Sequence, residues 1–521
     1  MNVAAGCEHG SLTVGEALRQ GAERLAAAGI DEARFDAEVL LAYALGASRA
    51  YLYGHPERCL GPEEEAAWQS ALTRRERREP VAYIVGSRGF YGLDLAVDRR
   101  VLVPRPETEL VVERVLAFAA RQPVRVVWDV GTGSGALALA IARNLPQARV
   151  VASDVSRGAL QVAAENRHRL GLEDRVELVE GDLLRGARGP VDVVVANLPY
   201  LRSEEYLGAM PEVSQYEPRL ALDGGPGGLE LVERLLAEAA ALSPRPALLL
   251  LEIGAEQGAD AAALARTYFP DRAVALRRDL AGLDRVVEVA SRLPDPGETG
   301  AGEAVTWILP AGDPAAIVLA AEALRRGEVV ALPTDTVYGL GAAVFHEAAV
   351  QALYEIKGRP EAKAIPLLLA DVAEVAQVAA DVPLAARRLM ARFWPGPLTL
   401  VLPARPEVPA VVRAGGATVA VRVPDYAAAR ALMAAVGAPL AVTSANRSGA
   451  PEALTADQVL RQLGSRLRWV LDGGRSPGGQ ASTVVDVAVE PPIILRHGAI
   501  PDEAIEPLLQ EGTWGARPRV E

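Results

Sequence analysis

The 521-residue sequence predicts a multidomain α/β protein: an N-terminal helical bundle, a domain built on a mostly parallel sheet, then a second mixed α/β domain. Three observations carry this. Half the residues are hydrophobic but only 5% are aromatic, so Ala, Val and Leu must supply most of the core. Between about 108 and 290, short β-branched runs alternate with helical stretches, as βαβ units require. A polar run rich in Pro and Gly, "SRLPDPGETGAGEA" at 291–304, separates this region from a second alternating stretch and reads as a linker.

The elements follow in order. In residues 1–82, Thr13 and Glu16 form a capping box before "ALRQGAERLAAAG". "DEARFDAEVLLAYALG" gives a second helix, and "GPEEEAAWQSALTRRERREP" a third long one ending at Pro80. Residues 83–290 open with "YIVGSRGFYGLDLAVD", a hairpin with turn glycines. Strands "VRVVWDV", "ARVVASDV", "RVELVEGD", "VDVVVAN" and "ALLLLEIG" then alternate with helices, and "LAGLDRVVEVA" returns antiparallel. The second α/β domain spans 305–510.

Composition excludes several function classes. A net charge of −13 argues against nonspecific nucleic-acid binding by the whole surface, though it allows a local basic pocket. Cys7 and Cys59 sit in no metal-binding pattern and read as free thiols in a reducing compartment. The five histidines are scattered, so no His-based metal site is expected. With no secretory signal and no apolar run of about 18 residues, the expectation is a cytoplasmic protein with no membrane partner. Of 54 Lys and Arg residues only Lys357 and Lys363 are lysine, both within "KGRPEAK". In a chain so biased to Arg, a retained Lys points to a need for a compact ammonium.

The first candidate site lies in "VVWDVGTGSGALALAIA", a strand, a loop with Gly131, Thr132, Gly133, Ser134 and Gly135, then a helix. Glycines let a backbone approach a ligand closely. Asp129 and Asp154 end neighbouring strands, where a carboxylate can hold ribose hydroxyls. This pattern also suits a dinucleotide. Asn197-Leu198-Pro199-Tyr200, at the end of "VDVVVAN", discriminates. Hydride transfer needs no such edge. Methyl transfer to a planar nitrogen does: the Asn197 side-chain oxygen and the Leu198 carbonyl can accept its two N–H bonds, Pro199 stiffens the turn, and Tyr200 offers a ring face.

Residues 12–290 resemble the release-factor glutamine methyltransferases of the PrmC/HemK family. The specific matches are "LTRRERREPVAYIVGSRGFYGLDLAVDRRVLVPRPETELVVE", "QYEPRLALDGGPGGLELVERLL" and "RDLAGLDRVV". The resemblance implies a Rossmann-like domain at 83–290 and a release-factor-binding bundle at 1–82. It implies that Gly131 to Gly135, Asp129, Asp154, Asp182, Leu183 and Asn197 bind S-adenosylmethionine, and that Asn197 to Tyr200 bind the glutamine of a Gly-Gly-Gln loop in class 1 peptide-chain release factors. Two positions depart from the family. Leu198 replaces a proline, as in rRNA adenine dimethyltransferases, which keeps an adenine substrate as the alternative. Leu183 follows Asp182 where an aromatic is common, and would give an aliphatic wall.

The second candidate site gathers "ALPTDTVYGLG", "KGRPEAKAIPLLL", "RFWPGPLTLVLP", "AVRVP", "VTSANRSG", "GGQASTVVD" and "ILRHG". Lys357, Arg359, Arg422 and Arg496, with Ser444, Asn446 and Ser482, suit a polyanion, either a nucleoside triphosphate or RNA. The P-loop pattern is absent. These segments resemble the Sua5/YrdC/YciO family of threonylcarbamoyl-AMP synthases over 310–505. The resemblance implies a YrdC-like fold that joins L-threonine, bicarbonate and ATP, with Mg2+, for t6A in tRNA. Thr334 and Tyr338 would line the threonine side, Lys357 and Arg359 would hold carbamate and phosphates, with Arg496 nearby, Arg422 would touch substrate, and Ser444, Asn446 and Ser482 would position the nucleotide. The product would pass to the tRNA threonylcarbamoyl-transfer machinery, and direct tRNA contact is compatible. The rival is a non-catalytic double-stranded-RNA module, which steep salt dependence would reveal. Neither product feeds the other site, so the two activities are expected to be independent.

Overall fold

The computed structural model describes residues 11–187, 189–294, 305–358, 364–478 and 481–510. The chain forms two compact units, Met1–Glu252 and Ile253–Glu521.

In the first unit, helices Val14–Ala27, Ala33–Ala44 and Pro62–Glu76 enclose a core of Leu25, Leu40, Leu41, Trp68 and Leu72. Thr13 and Glu16 make the reciprocal capping bonds expected of them. Gly21 is needed here, because a Cβ would stand 2.4 Å from the Trp68 ring. The helix expected to reach Pro80 stops at Glu76. Arg78 turns left-handed at φ 69°, and the proline disfavours helical backbone before it. The free-thiol expectation also fails at Cys59, which is disulfide-bonded. A backbone bridge pairs Thr13 with Cys59; Cys7 lies outside the described residues.

Strands β1 (Ser87–Phe90) and β2 (Leu93–Ala96) form an antiparallel hairpin, turned by Tyr91 and Gly92 at positive φ. Then β3 (Val126–Val130), β4 (Arg149–Asp154), β5 (Val176–Glu180), β6 (Val193–Ala196) and β7 (Leu248–Glu252) form a parallel sheet in the order β5-β4-β3-β6-β7. Strands β3, β6 and β7 are Val- and Leu-rich and buried on both faces, as helix-covered parallel strands must be. The register sets Val130 beside both Ser153 and Ala196. The glycine loop and Asn197 therefore leave the sheet side by side.

The second unit begins with β8 (Ala273–Arg278) and β9 (Asp284–Ala290), the antiparallel return seen in the sequence. It continues through β10 (Val305–Pro310), β11 (Val330–Leu332), β12 (Gly339–Ala343), β13 (Leu367–Leu368), β14 (Leu398–Pro403) and β15 (Thr418–Arg422). The last strands are β16 (Leu440–Ser444), β17 (Trp469–Asp472), β18 (Thr483–Asp486) and β19 (Ile493–Arg496). Pairing is mixed, with β12–β16 and β14–β15 antiparallel and β10–β17 and β14–β18 parallel. Trp307, Leu309, Leu324, Leu440 and Trp469 anchor its core. The packing division at Glu252 falls ahead of the compositional break near 291, and β8 pairs antiparallel with β10. Residues 295–304 of the expected linker lie outside the described residues. No described helix is long and apolar enough to cross a membrane.

Candidate functional sites

In the first unit, the carboxyl ends of β3, β4 and β6 open into a cavity of about 340 Å³. Asp129, Gly131 to Ser134, Asp154, Asp182, Leu183, Asn197, Leu198 and Pro199 all line it. Gly131, Gly133 and Gly135 each hold positive φ, which a side chain would strain. The Gly133 N–H donates to Asp154 Oδ2 (2.9 Å) and the Ser156 N–H to Asp154 Oδ1 (2.8 Å). Burial raises the Asp154 carboxyl, and these backbone donors oppose the rise.

Asp129 is buried beneath the loop. Its Oδ2 accepts from Thr132 Oγ1 (2.6 Å) and Ala138 N (3.1 Å), while Oδ1 has no partner. Burial pushes this carboxyl up to about 7. A buried carboxylate oxygen without a donor beside an open glycine loop suits a ligand that brings a cationic or N–H group. Leu183 is buried on the wall at φ 55°, and Asp182 pairs with Arg234 at 2.6 Å.

Asn197 Nδ2 donates to Thr108 Oγ1 at 3.1 Å. That bond turns the amide so that Oδ1 is left to accept. Thr108 is buried at the end of a short turn, Pro106–Thr108, that lines the same cavity. The preceding Arg105 is held by buried Glu217 at 2.6 Å. The Asn-Leu-Pro-Tyr turn is braced from behind: Leu201 N–H donates to Leu222 O and Gly224 N–H to Leu201 O. A Cβ on Gly224 would meet Pro199 O at 2.5 Å and Tyr200 Cα at 2.9 Å. Thr108, Glu217 and Gly224 were not singled out as site residues. All three lie in the first two of the three signatures quoted above, which was the available signal.

In the second unit the predicted residues gather in three clusters. Lys357 Nζ donates to Ser444 O (2.5 Å), Ser444 Oγ (2.8 Å) and Asn446 Oδ1 (2.7 Å), and the residue is 7% exposed. Three close oxygens around one nitrogen suit a compact ammonium better than a planar guanidinium. Arg422, also buried, donates to Gly396 O, Thr336 Oγ1 and Asp335 Oδ1. Arg496 donates to Ser482 O and Oγ, both at 3.0 Å, and Ser482 also bonds Thr399. Burial lowers the Arg496 guanidinium; Glu452 raises it and the charge of Arg422 lowers it further.

Thr334 is buried and bonds Val337 O within its own loop. Tyr338 is 0% exposed; its hydroxyl lies 2.7 Å from Gly474 O and 3.2 Å from Asp472 Oδ1. It therefore shapes the loop from beneath. Arg359 lies outside the described residues. Asp335 and Thr399 were missed as partners, although both fall in quoted segments.

Residues 16–86 match the family model described as the PrmC N-terminal domain. Residues 106–199 match that of ribosomal protein L11 methyltransferase (PrmA). A release factor glutamine methyltransferase of Moorella thermoacetica is 43% identical over 275 residues, covering 53% of this chain and 97% of its own. The chain belongs to the release factor glutamine methyltransferase family. A release factor glutamine methyltransferase of Cereibacter sphaeroides is likewise 43% identical over 280 residues, covering 54% of this chain and 98% of its own. That family does not account for the rest. Residues 322–498 match the Sua5_yciO_yrdC model, described as telomere recombination. The crystal structure of P. abyssi Sua5 complexed with L-threonine is 41% identical with a TM-score of 0.38. The match covers 38% of this chain, and this chain spans 58% of that protein.

Proposed function

We propose that the chain is a fusion of two translation-related enzymes. One methylates the glutamine of the Gly-Gly-Gln loop in class 1 release factors; the other makes threonylcarbamoyl-AMP from L-threonine, bicarbonate and ATP. In this reading 1–82 binds the release factor, 83–290 is the Rossmann-like methyltransferase, 291–304 joins the halves and 305–510 is the YrdC-like synthase. Both would work in the cytoplasm.

The observation that carries the first activity is Asn197, oriented by Thr108 on the wall shared with the glycine loop. Asp129, Asp154 and the Gly131 to Gly135 loop would hold S-adenosylmethionine, and the unpartnered Asp129 oxygen fits its cationic group. When bound, S-adenosylmethionine supplies an electrophilic methyl group. Asn197 Oδ1 and the Leu198 carbonyl would accept the two N–H bonds of the glutamine amide, fixing the nitrogen and favouring the charge that develops on it. Only a main-chain carbonyl is asked of position 198, so leucine serves there. With the family established, the adenine alternative loses its support.

In the second half, Lys357, Arg422 and Arg496 would neutralise carbamate and phosphate charge, with alignment supplying the remaining rate. Mg2+ would arrive on the nucleotide's phosphates, as it commonly does with ATP. The product would pass to the tRNA threonylcarbamoyl-transfer machinery.

Labelled S-adenosylmethionine offered with a release factor, and separately with unmodified rRNA, tests the first reading. Label on the Gly-Gly-Gln glutamine, lost in Asn197→Ala, supports it; label on adenine overturns it. Pyrophosphate release from ATP that requires both threonine and bicarbonate tests the second.

A further inference from the structure

The sequence assigns residues up to 290 to the methyltransferase half, yet residues 253–290 are packed within the second unit. Ala273 and Ala275 of β8 join the core of Trp307, Leu309 and Trp469, and β8 pairs with β10 from Val305 to Ile308. Arg278 Nη2 donates to Thr306 Oγ1 at 2.6 Å and Gly464 O at 2.9 Å.

One side chain of this segment reaches further. Arg266, on helix Gly258–Tyr268, has a side chain only 13% exposed. It is ion-paired with Asp457, and its Nε lies 2.8 Å from Asp472 Oδ2. Asp472 ends β17, and its Oδ1 accepts from Gly474 N (2.9 Å) and faces the Tyr338 hydroxyl at 3.2 Å. The main chain of Tyr338 in turn accepts from Ala445 N at 2.8 Å. Ala445 stands between Ser444 and Asn446, whose oxygens hold Lys357.

We propose that Arg266 is a positioning residue for the second site. Supplied by the methyltransferase-assigned segment, it clamps Asp472 and through it Tyr338, which sets the loop beginning at Thr334 and the strand end that carries Ser444 and Asn446. This rests on the threonylcarbamoyl-AMP reading. A mostly buried Arg paired with two carboxylates cannot be lost quietly, because Asp457 and Asp472 would both lose its cation. The consequence is specific to a fused chain, since the clamp comes from outside 305–510.

The test uses full-length protein and follows two reactions. In Arg266→Met the threonine KM of pyrophosphate release should rise about tenfold with kcat little changed. Methyl transfer to a release factor should stay at the wild-type rate, which also reports that the chain is folded. Arg266→Lys should recover most of the loss. The double variant Arg266→Met with Tyr338→Phe should be no worse than Tyr338→Phe alone, because the two act in series. A wild-type KM in Arg266→Met, or losses that simply multiply in the double variant, would overturn the proposal. If Arg266→Met does not fold, Asp472→Asn takes its place: the same rise in KM is expected, and an unchanged KM sinks the idea. A wild-type chain inert with ATP, threonine and bicarbonate overturns the parent reading and this one together; an active wild type with unchanged variants overturns this one alone.

Discussion

Asn197 and Thr108, 89 positions apart in sequence, meet at 3.1 Å on the wall of the first cavity. The hydroxyl accepts from the amide N–H and so decides which end of the Asn197 side chain is left for a substrate. Thr108→Val keeps the shape and removes the acceptor. We expect methyl-transfer kcat to fall roughly 10- to 100-fold, with S-adenosylmethionine affinity unchanged by calorimetry, and Thr108→Ser to retain most activity.

Gly224 offers a second handle on the same turn. A methyl group there would stand 2.5 Å from Pro199 O and 2.8 Å from Gly228 O, both backbone atoms. The turn must shift, and a displacement near 1 Å costs about 100-fold in a positioned reaction. Gly224→Ala should therefore show that loss in release-factor methylation while still binding S-adenosylmethionine.

Asp129 predicts a pH effect on stability. Its carboxyl ordinarily titrates near 3.8, and burial raises it to about 7 in the folded chain. The folded state thus binds a proton that the unfolded state has released between these values. The stability this group contributes is full below about 3.8 and is lost as pH rises to about 7. The whole effect is on the order of 4 kcal/mol. Asp129→Asn cannot ionise, so its denaturation midpoint should gain on wild type between pH 5 and pH 8. Equal shifts in both proteins would refute the assignment.

Lys357 tests the second unit. Three oxygens of Ser444 and Asn446 surround its ammonium. Lys357→Arg keeps the charge but cannot place a planar fork among them, and should reduce pyrophosphate release at least 100-fold. Lys357→Met also leaves buried acceptors unmet, at about 1–3 kcal/mol, which a lowered thermal midpoint would report.

Much of this was legible without coordinates. The glycine loop, Asp154 and the Asn-Leu-Pro-Tyr edge are local in sequence, and the alternating strands dictate a parallel sheet whose carboxyl ends must gather them. Lys357 announced itself by rarity. Local pattern also set the capping box at Thr13 and the hairpin turn at Tyr91 and Gly92, because each depends on neighbours within a few residues.

What only the tertiary structure decided is pairing across distance. That Thr108 orients Asn197, that Glu217 holds Arg105 and that Asp335 holds Arg422 depends on register and packing between residues 89, 112 and 87 positions apart, while the nearer Gly224 backs Pro199 through a loop whose course no period reveals. The disulfide at Cys59 escaped for the same reason, since a bond to a distant cysteine leaves no local pattern. The sharpest case is residues 253–290. Their sequence belongs with one family, but β8 pairs with β10, and Ala273 and Ala275 share a buried core with Trp307 in the second unit. Composition marks where a chain is free to divide; the hydrogen bonds and apolar surface available across space determine where it does.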